Sequence, residues 1–270
     1  MADADSFKDL FSIQGKVALV TGGSRGIGEM IAAGFLAQGA KVYISSRKAE
    51  TCNATAARLA GTYGGECVSL PADLSHLDGV NALAAALSAR ESKLDILVNN
   101  AGASWGAPVD EFPETGWDKV MDTNVKAVFF LTQKLLPLLR AAAATSPARV
   151  VNIGSIDGLK SSSFDAWSYG ASKAALHHLT RFMASRLTQE RILFNAIAPG
   201  PYPTWMLSTG VGFGGKTEGV DWDRVGKGNP SGRVGSAQDI AGLATFLCSR
   251  AGEYVVGQVI ASDGGLVAAA

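Results

Sequence analysis

The sequence has few of the features that mark secreted or nucleic-acid-binding proteins. Only three of its 270 residues are cysteines, at positions 52, 67 and 248, and their spacing fits neither a CxxC pair nor a metal site. We interpret them as free thiols in a reducing compartment. Basic and acidic residues number 24 each, so no excess of charge favours nucleic acid or an anionic membrane as a partner.

Long apolar runs and grouped metal ligands are also missing. No window of about 20 apolar residues could form a membrane span, and the mixed, acidic first 16 residues do not resemble a signal peptide. His177 and His178 would project about 100° apart from a helix, so we interpret them as packing or interface residues. The sequence predicts a cytoplasmic protein with no metal, membrane or nucleic-acid partner.

Short β-branched runs alternate instead with longer stretches rich in alanine and leucine, a pattern typical of repeated βαβ units. Continuous apolar runs indicate strands that are covered on both faces. We predict an α/β fold: a single Rossmann-like doubly wound domain over residues 1–270, with about seven parallel strands and helices on both faces. The predicted strands are 16–20, 41–45, 66–70, 94–98, 149–153, 193–197 and 258–261. The predicted helices are 26–37, 50–63, 77–90, 117–144, 168–189 and 237–249.

Two segments depart from this rhythm. Pro137 lies inside the fourth predicted helix and is expected to kink or shorten it. Residues 199–235 are rich in glycine and proline, and contain Trp205, Phe213 and Trp222. Loops this long are usually functional or disordered, and the aromatic side chains argue against a solvated linker. We predict a mobile substrate lid at about 201–235.

A glycine loop, TGGSRGIG, follows the first predicted strand and leads into a helix. Gly22, Gly26 and Gly28 would let the backbone turn sharply and approach a phosphate closely. The helix N-terminus would offer it free N–H groups and the positive end of the helix dipole. The loop therefore predicts a cradle for a dinucleotide, although a glycine cluster alone could simply form a tight turn.

The residues after the second strand indicate which dinucleotide. An NAD-binding fold places an acidic residue there to hold the ribose hydroxyls, whereas this chain has Ser46 and Arg47. A hydroxyl and a guanidinium suit a 2′-phosphate, and Arg25 could approach the same group. We therefore predict NADP(H), the alternative being that both arginines are solvated surface residues.

Together these motifs resemble the short-chain dehydrogenase/reductase family from Thr21 to Gly265. Asp73 matches the acid that contacts adenine, unless it only caps the next helix in competition with Ser75. Residues 99–102 match the family's NNAG motif, and Pro199, Gly200 and Thr204 match the nicotinamide border. The resemblance and the loop chemistry imply the following cofactor-binding residues: Gly22, Ser24, Arg25, Gly26, Ile27, Gly28, Ser46, Arg47, Asp73, Leu74, Asn100, Ala101, Gly102, Tyr169, Lys173, Pro199, Gly200 and Thr204.

Asn124, Ser155, Tyr169 and Lys173 match the family's catalytic tetrad. Tyr169 and Lys173 are i and i+4 on a predicted helix and share a face, so the lysine charge is expected to lower the phenol pKa. Ser155 would stabilise negative charge on the substrate oxygen. By the same resemblance, Asn124 would hold a water that links Lys173 to solvent, and the lysine would also hold the nicotinamide ribose.

One spacing departs from the family. Ser155 and Tyr169 are 14 residues apart, where most members have about one residue fewer, so an extra residue is expected to bulge from the loop 156–167. Ser161, Ser162 and Ser163 are less well placed than Ser155, which directly follows the fifth strand.

The sequence predicts NADP(H)-dependent reduction of a ketone to a secondary alcohol, or the reverse. Motifs at 99–108, 135–140 and 169–176 look like the β-ketoacyl reductases of the rhamnolipid-associated branch, so a 3-oxoacyl thioester is an alternative substrate. An apolar, aromatic or cyclic substrate would fit a pocket lined by residues that could equally be lid packing: Trp105, Ile156, Phe164, Trp167, Tyr202, Trp205 and Met206. A carrier-bound substrate would want basic residues near the mouth, and Arg224, Lys227 and Arg233 are available without clustering strongly.

Two rival functions remain. A non-catalytic NADP(H)-binding regulator would be expected to have lost Ser155, Tyr169 or Lys173, yet all three are present. Epimerisation or dehydration on the same fold would not consume the cofactor in proportion to product. The family usually forms tetramers through its two long helices, which implies a homotetramer.

Overall fold

In the part of the chain that the structure describes, seven strands form one parallel sheet in the order β3-β2-β1-β4-β5-β6-β7. The computed structural model describes residues 7–161, 164–208 and 220–269. Within them the predicted α/β, doubly wound architecture is confirmed. The strands are β1 (Val17–Thr21), β2 (Lys41–Ser45), β3 (Cys67–Ser69), β4 (Ile96–Asn99), β5 (Ala148–Ile153), β6 (Ile192–Pro199) and β7 (Val259–Ser262).

Helices cover both faces of the sheet. They are α1 (Gly26–Ala37), α2 (Ala49–Tyr63), α3 (Leu77–Ser88), α4 (Glu114–Met121), α5 (Ala127–Ala143), α6 (Trp167–Leu187), α7 (Trp222–Lys227) and α8 (Ala237–Cys248). None of the helices in the described ranges is long and apolar enough to cross a membrane.

The core is divided into two layers by the sheet. On one face α3, α5 and α6 pack against strand residues such as Leu19 and Leu97. On the other face α1, α2 and α8 pack against residues such as Val20 and Val98. Successive strand residues point to opposite faces of the sheet. Because helices cover both faces, every residue of β1 is buried, and its first four residues are all apolar.

The strand order reverses direction at the centre of the sheet, where β1 pairs with both β2 and β4. Ligands of open α/β folds bind in the crevice beyond the carboxyl ends of the strands at such a switch point. The loop after β1 carries the glycines and the loop after β4 carries the NNAG motif. The topology therefore brings both motifs to one edge of the sheet.

The helix predicted at 117–144 has different bounds in the structure. It begins earlier, at Glu114, and a π-helical segment at Asp122–Lys126 separates α4 from α5. Such segments frequently occur at functional sites, and this one contains Asn124. Pro137 does not end the helix, because α5 continues to Ala143.

The segment predicted as an irregular lid at 201–235 contains regular structure. The Asp221 carboxylate accepts a hydrogen bond from the Arg224 backbone N–H at 2.9 Å and caps α7. The predicted loop assignment is therefore wrong for Trp222–Lys227, since an N-cap aspartate satisfies an otherwise unpaired backbone donor. Residues 209–219, including Phe213, lie outside the described residues.

Candidate functional site

The glycine loop packs so closely against the NNAG loop that side chains would not fit. Gly22 has a φ of +64°, a conformation that favours glycine, and an added Cβ would lie 2.7 Å from the Asn100 Nδ2 atom. An added Cβ on Gly28 would collide with the Asn100 amide and the Gly22 backbone. The loop therefore presents bare backbone at the N-terminus of α1, as a phosphate cradle requires.

Thr21 and Asn100 hold the two loops together. The Thr21 hydroxyl oxygen accepts hydrogen bonds from the backbone N–H groups of Asn100 and Ala101, at 2.9 and 3.0 Å. The Asn100 amide nitrogen donates in return to the carbonyl oxygens of Thr21 and Gly22, at 2.8 and 3.2 Å. The NNAG loop thus fixes the start of the glycine loop, which explains how Asn100 and Ala101 shape the expected cofactor site.

The corner expected to hold a 2′-phosphate contains an unsatisfied hydroxyl and two guanidiniums. The Ser46 Oγ is buried and has no hydrogen-bond partner within the described part of the chain. Partial burial and then the nearby charge of Arg47 lower the pKa of Arg25. A 2′-phosphate would accept a hydrogen bond from Ser46 and relieve the repulsion between the two arginines. The residues present therefore fit a phosphorylated ribose.

Asp73 lies beside this corner but does not cap a helix. Its Oδ1 accepts hydrogen bonds from the Ser75 backbone N–H at 3.0 Å and the Ser75 hydroxyl at 2.8 Å. Although burial opposes them, these bonds and the charge of Arg47 hold the Asp73 pKa below its ordinary value. The N-cap of α3 is His76. The helix-cap alternative is therefore wrong, and Asp73 stands charged near Arg47.

Leu74 does not offer its side chain to a ligand. It is buried in the core layer that contains α3 and α5, because a leucine side chain gains stability from burial against apolar neighbours. A cofactor contact by Leu74 would have to come from its backbone. The place of Leu74 among the cofactor-binding residues stays a prediction.

Ser155, Tyr169 and Lys173 come together beyond the carboxyl end of β5. The Ser155 hydroxyl lies close enough to the Tyr169 phenol to lower its pKa, and it accepts the Asp157 backbone N–H at 3.2 Å. The Lys173 Nζ lies 5.4 Å from the centre of the Tyr169 ring and donates to the Ile153 carbonyl oxygen at 2.8 Å. A hydroxyl, a phenol and an ammonium thus lie close together.

The expected lowering of the Tyr169 pKa by Lys173 is wrong. Burial raises the pKa of Tyr169 to about 12, and the hydrogen bond from Ser155 only partly offsets that rise. Burial also lowers the pKa of Lys173 to about 8, against the opposing effect of the Asp157 carboxylate. Desolvation disfavours both charged forms, and the Lys173 ammonium donates to the Ile153 carbonyl rather than to the neutral phenol.

The Asn124 side-chain amide joins the loop after β4 to α6. Its Oδ1 accepts the Ala103 backbone N–H at 2.8 Å, and its Nδ2 donates to the Ala103 carbonyl and the Ser172 hydroxyl, both at 2.9 Å. The Ser172 hydroxyl then donates to the Tyr169 carbonyl at 2.7 Å. Both amide hydrogens are therefore taken, so a water could only donate to this side chain.

The nicotinamide border also lies at this edge. Pro199 ends β6, and the Gly200 backbone N–H donates to the Ser262 carbonyl at 3.0 Å. An added Cβ on Gly200 would lie 2.8 Å from the Asp263 Cα, so the backbone passes β7 closely there. Thr204 lies over the glycine loop, with its Cγ2 3.3 Å from an added Cβ on Gly26. Gly102 is close to both Asn124 and Lys173 by the same measure.

His177, which the sequence analysis interpreted as a packing or interface residue, lies close to the catalytic side chains. It is buried one turn beyond Lys173 on α6, with its imidazole against the backbone of Gly158. Gly154 and Gly158 leave room for its imidazole beneath the loop that carries Ser155. Burial lowers the pKa of His177 to about 4, so the ring is a neutral packing group, as predicted.

The predicted pocket residues divide into two groups. Tyr202 is a core residue, since it is only 3% exposed and its hydroxyl lies 2.6 Å from the Ser262 Oγ. Its assignment to the pocket is therefore wrong. Trp167 and Trp205 are about half exposed, and the Trp167 Nε1 donates to the Ala107 carbonyl at 3.1 Å. The remaining candidates are exposed or partly buried: Trp105, Ile156, Phe164 and Met206.

Two further expectations have different outcomes. Arg233 forms a bidentate ion pair with Asp239, at 2.6 and 3.0 Å, so it is not available as a basic group for a carrier-bound substrate. The predicted bulge between Ser155 and Tyr169 remains a prediction. A 3-10 turn occupies Ile156–Gly158 and Ser161 is exposed, but Ser162 and Ser163 lie outside the described residues.

Comparison with known proteins places this site in a family. A family model described as enoyl-(acyl carrier protein) reductase matches residues 22–267. The rhamnolipids biosynthesis 3-oxoacyl-(acyl-carrier-protein) reductase of Pseudomonas aeruginosa is 48% identical over 256 residues, which cover 94% of this chain and 97% of that protein. The gluconate 5-dehydrogenase of Gluconobacter oxydans is 37% identical, with 97% of this chain and 98% of that protein covered.

A solved structure agrees with these matches. The Pseudomonas aeruginosa RhlG/NADP active-site complex superposes with a TM-score of 0.88 at 47% identity, covering 97% of this chain and 100% of that chain. The resemblance inferred from the ordered motifs is confirmed. With its parallel sheet, glycine loop and serine, tyrosine and lysine together, the chain belongs to the short-chain dehydrogenase/reductase family of oxidoreductases.

Proposed function

We propose that the protein catalyses the NADP(H)-dependent reduction of a ketone to a secondary alcohol, and the reverse oxidation. The observation that carries this proposal is the Ser155 hydroxyl beside the Tyr169 phenol, with the buried Lys173 ammonium 5.4 Å from the phenol ring. A phenol next to a second hydroxyl is suited to binding and protonating a carbonyl oxygen.

The glycine loop, Ser46, Arg47 and Asp73 would hold the cofactor through its phosphates, ribose and adenine. Arg25 would join Ser46 and Arg47 at the 2′-phosphate, and Pro199, Gly200 and Thr204 would border the nicotinamide. When bound there, NADPH supplies the hydride for the carbonyl carbon. The preference for NADP(H) is supported by the unsatisfied Ser46 hydroxyl and by the NADP named in the related complex.

Tyr169 would donate its phenolic proton to the carbonyl oxygen as the carbon is reduced. With a pKa of about 12 the phenol is protonated at neutral pH, so the group is in the state that reduction requires. Ser155 would donate a hydrogen bond to the same oxygen and stabilise its developing charge. Lys173 would stabilise the phenolate left behind, while Asn124 keeps α6 and the loop after β4 in register.

A 3-oxoacyl thioester is the second candidate substrate. The relative in Pseudomonas aeruginosa is named as a 3-oxoacyl-(acyl-carrier-protein) reductase, and three exposed apolar side chains near the site suit an acyl chain: Phe164, Trp167 and Met206. The ion pair of Arg233 removes one basic group that an acidic carrier could contact. The name of the relative and the apolar side chains favour a thioester, whereas the ion pair of Arg233 does not. The substrate class is therefore kept as a ketone.

Three broader expectations belong to the same proposal. The segment 201–235 would act as a lid over the substrate. A homotetramer would form through α5 and α6, and the exposed Phe129 and Phe182 on these helices support an apolar contact there. The protein would work in the cytoplasm, which its unpaired cysteines suit.

The test is a screen that follows NADPH consumption with small ketones, keto sugars and 3-oxoacyl thioesters. We expect turnover with at least one apolar ketone or thioester, and a strong preference for NADPH over NADH. Tight NADPH binding without turnover across the whole panel would instead favour the regulator. Product formed without matching NADPH consumption would favour epimerisation or dehydration.

A further inference from the structure

Arg25 and Trp205 stack on one another across the expected cofactor site. The guanidinium carbon of Arg25 lies 4.2 Å from the centre of the Trp205 ring. Arg25 belongs to the glycine loop between β1 and α1, whereas Trp205 lies in the segment after β6. Arginine stacks well on tryptophan because its planar, weakly hydrated cation is attracted to the negative face of the ring.

A second contact joins the same two segments. An added Cβ on Gly26 would lie 3.3 Å from the Thr204 Cγ2, so Thr204 packs on the glycine loop beside the stack. The Thr204 hydroxyl accepts the Leu207 backbone N–H at 3.2 Å, and the Ser208 backbone N–H donates to the Thr204 carbonyl at 3.1 Å. Trp205 therefore lies in a hydrogen-bonded turn that contacts the glycine loop.

The charges around Arg25 give this contact a consequence for the ligand. Arg47 lies near enough to repel the Arg25 guanidinium, and in isolation the two side chains would separate. Trp205 covers one face of the Arg25 guanidinium and restricts where it can move, while the edge N–H groups remain able to donate. A dianionic 2′-phosphate between Arg25, Arg47 and Ser46 would accept hydrogen bonds from those N–H groups.

We propose that Trp205 is a specificity-determining positioning residue: by stacking on Arg25 it holds that guanidinium toward the 2′-phosphate, and so favours NADP(H) over NAD(H). The inference rests on the proposed NADP(H) chemistry and extends it to a residue of the segment that follows β6. Trp205 acts through Arg25 and does not itself contact the phosphate. The competing role for Trp205 is a wall of the ketone pocket, which would leave cofactor affinity unchanged.

The experiment measures the Kd values of NADPH and NADH by calorimetry, without ketone, for the wild-type protein, four variants and a control variant. The variants are Trp205→Ala, Trp205→Phe, Arg25→Ala and the double variant Arg25→Ala/Trp205→Ala. Trp117→Ala, which removes a similarly exposed tryptophan from α4, is the matched control. Thermal unfolding of each variant shows whether it is folded.

We expect Trp205→Ala to weaken NADPH binding about two- to fivefold, the range of an exposed cation–π contact, and to leave NADH binding unchanged. Trp205→Phe should retain most of the NADPH affinity, and Trp117→Ala all of it. In the Arg25→Ala background, the loss of Trp205 should have no further effect. Equal weakening of NADPH and NADH, additive effects of the two substitutions, or an unchanged NADPH Kd would each overturn the inference.

This test separates the inference from the proposed function. The Kd values are obtained without turnover, so a selective loss of NADPH affinity would support the role of Trp205 even if no ketone were reduced. Ketone reduction combined with an unchanged NADPH Kd in Trp205→Ala would overturn the inference and leave the proposed function in place.

Discussion

The Asn99 side-chain amide donates a hydrogen bond of 2.9 Å to the Asn152 side-chain oxygen, across the pairing of β4 with β5. Asn152 in turn donates to the Thr180 hydroxyl of α6 at 2.9 Å, and Asn99 also donates to Thr132 of α5 at 3.3 Å. All four side chains are buried. The network ties the strands that carry the NNAG motif and Ser155 to the helix that carries Tyr169 and Lys173.

Removal of the central amide should therefore destabilise the fold. We expect Asn152→Ala to lower the free energy of unfolding by about 2–3 kcal/mol, because the Asn99 amide would lose its acceptor and remain buried. The measurement is urea denaturation, and Asn53→Ala on the exposed face of α2 is the control. A loss no larger than that of the control would show that the network contributes little.

Gly22 and Gly61 should respond in opposite ways to a methyl group. Gly22→Ala places a side chain at positive φ and within 2.7 Å of Asn100, so we expect a loss of about 2–4 kcal/mol in unfolding free energy. Gly61 lies in α2, where an added Cβ meets no atom within 4 Å, so Gly61→Ala should stabilise by about 0.5–1 kcal/mol. Parallel thermal unfolding checks both; equal shifts would contradict the close packing of the glycine loop.

The periodic parts of the fold were predictable from sequence. α1 and β2 have the predicted bounds at both ends, because glycines and polar residues at their ends change the local pattern sharply. The π-helical segment around Asn124 was not predictable, since its hydrogen bonds leave no sequence pattern. Tyr202 was misassigned because its partner, Ser262, lies on β7, and only the sheet brings the two together.

The catalytic side chains were likewise predictable as a group, but their electrostatics were not. Ordered motifs bring Ser155, Tyr169 and Lys173 to one place. Their pKa values depend on burial and on which carbonyl the ammonium contacts, and these follow from tertiary packing. For the same reason, the sequence indicated Arg25 as a phosphate ligand without showing that Trp205 lies on it.

Ser46 should decide the cofactor preference. Loss of its buried hydroxyl in Ser46→Ala should weaken NADPH binding about tenfold, as for a hydrogen bond to a charged group, with NADH binding unchanged. Ser46→Asp should repel the 2′-phosphate and accept ribose hydroxyls, which reverses the preference. Calorimetric Kd values with both cofactors test this. Retention of the NADPH preference by Ser46→Asp would contradict the assigned corner.

The rate of ketone reduction should fall as the pH rises through about 8, where the Lys173 ammonium loses its proton. Tyr169 keeps its proton up to a pKa of about 12, and His177, with a pKa of about 4, is already neutral. Asp157 is a carboxylate that interacts with both Tyr169 and Lys173. Steady-state kcat/KM measured against pH locates the transition.

Unfolding would not explain that fall. The Lys173 pKa is depressed from 10.5 in the folded state, so between about pH 8 and 10 the unfolded chain binds more protons and this lysine adds stability as the pH rises. The control is Lys173→Arg, whose guanidinium stays charged and whose residual rate should be flat across the same range. A wild-type profile that is flat to about pH 10 would contradict the role of the ammonium.

The central claim is that the Tyr169 phenol donates the proton that accompanies ketone reduction. The most direct test is the single-turnover rate of NADPH oxidation by ketone in Tyr169→Phe, with the NADPH Kd measured on the same preparation. We predict that the rate falls by about 10²–10⁴-fold, the usual contribution of a general acid, while the NADPH Kd changes by less than about threefold. A Tyr169→Phe enzyme with a near wild-type rate would contradict the account.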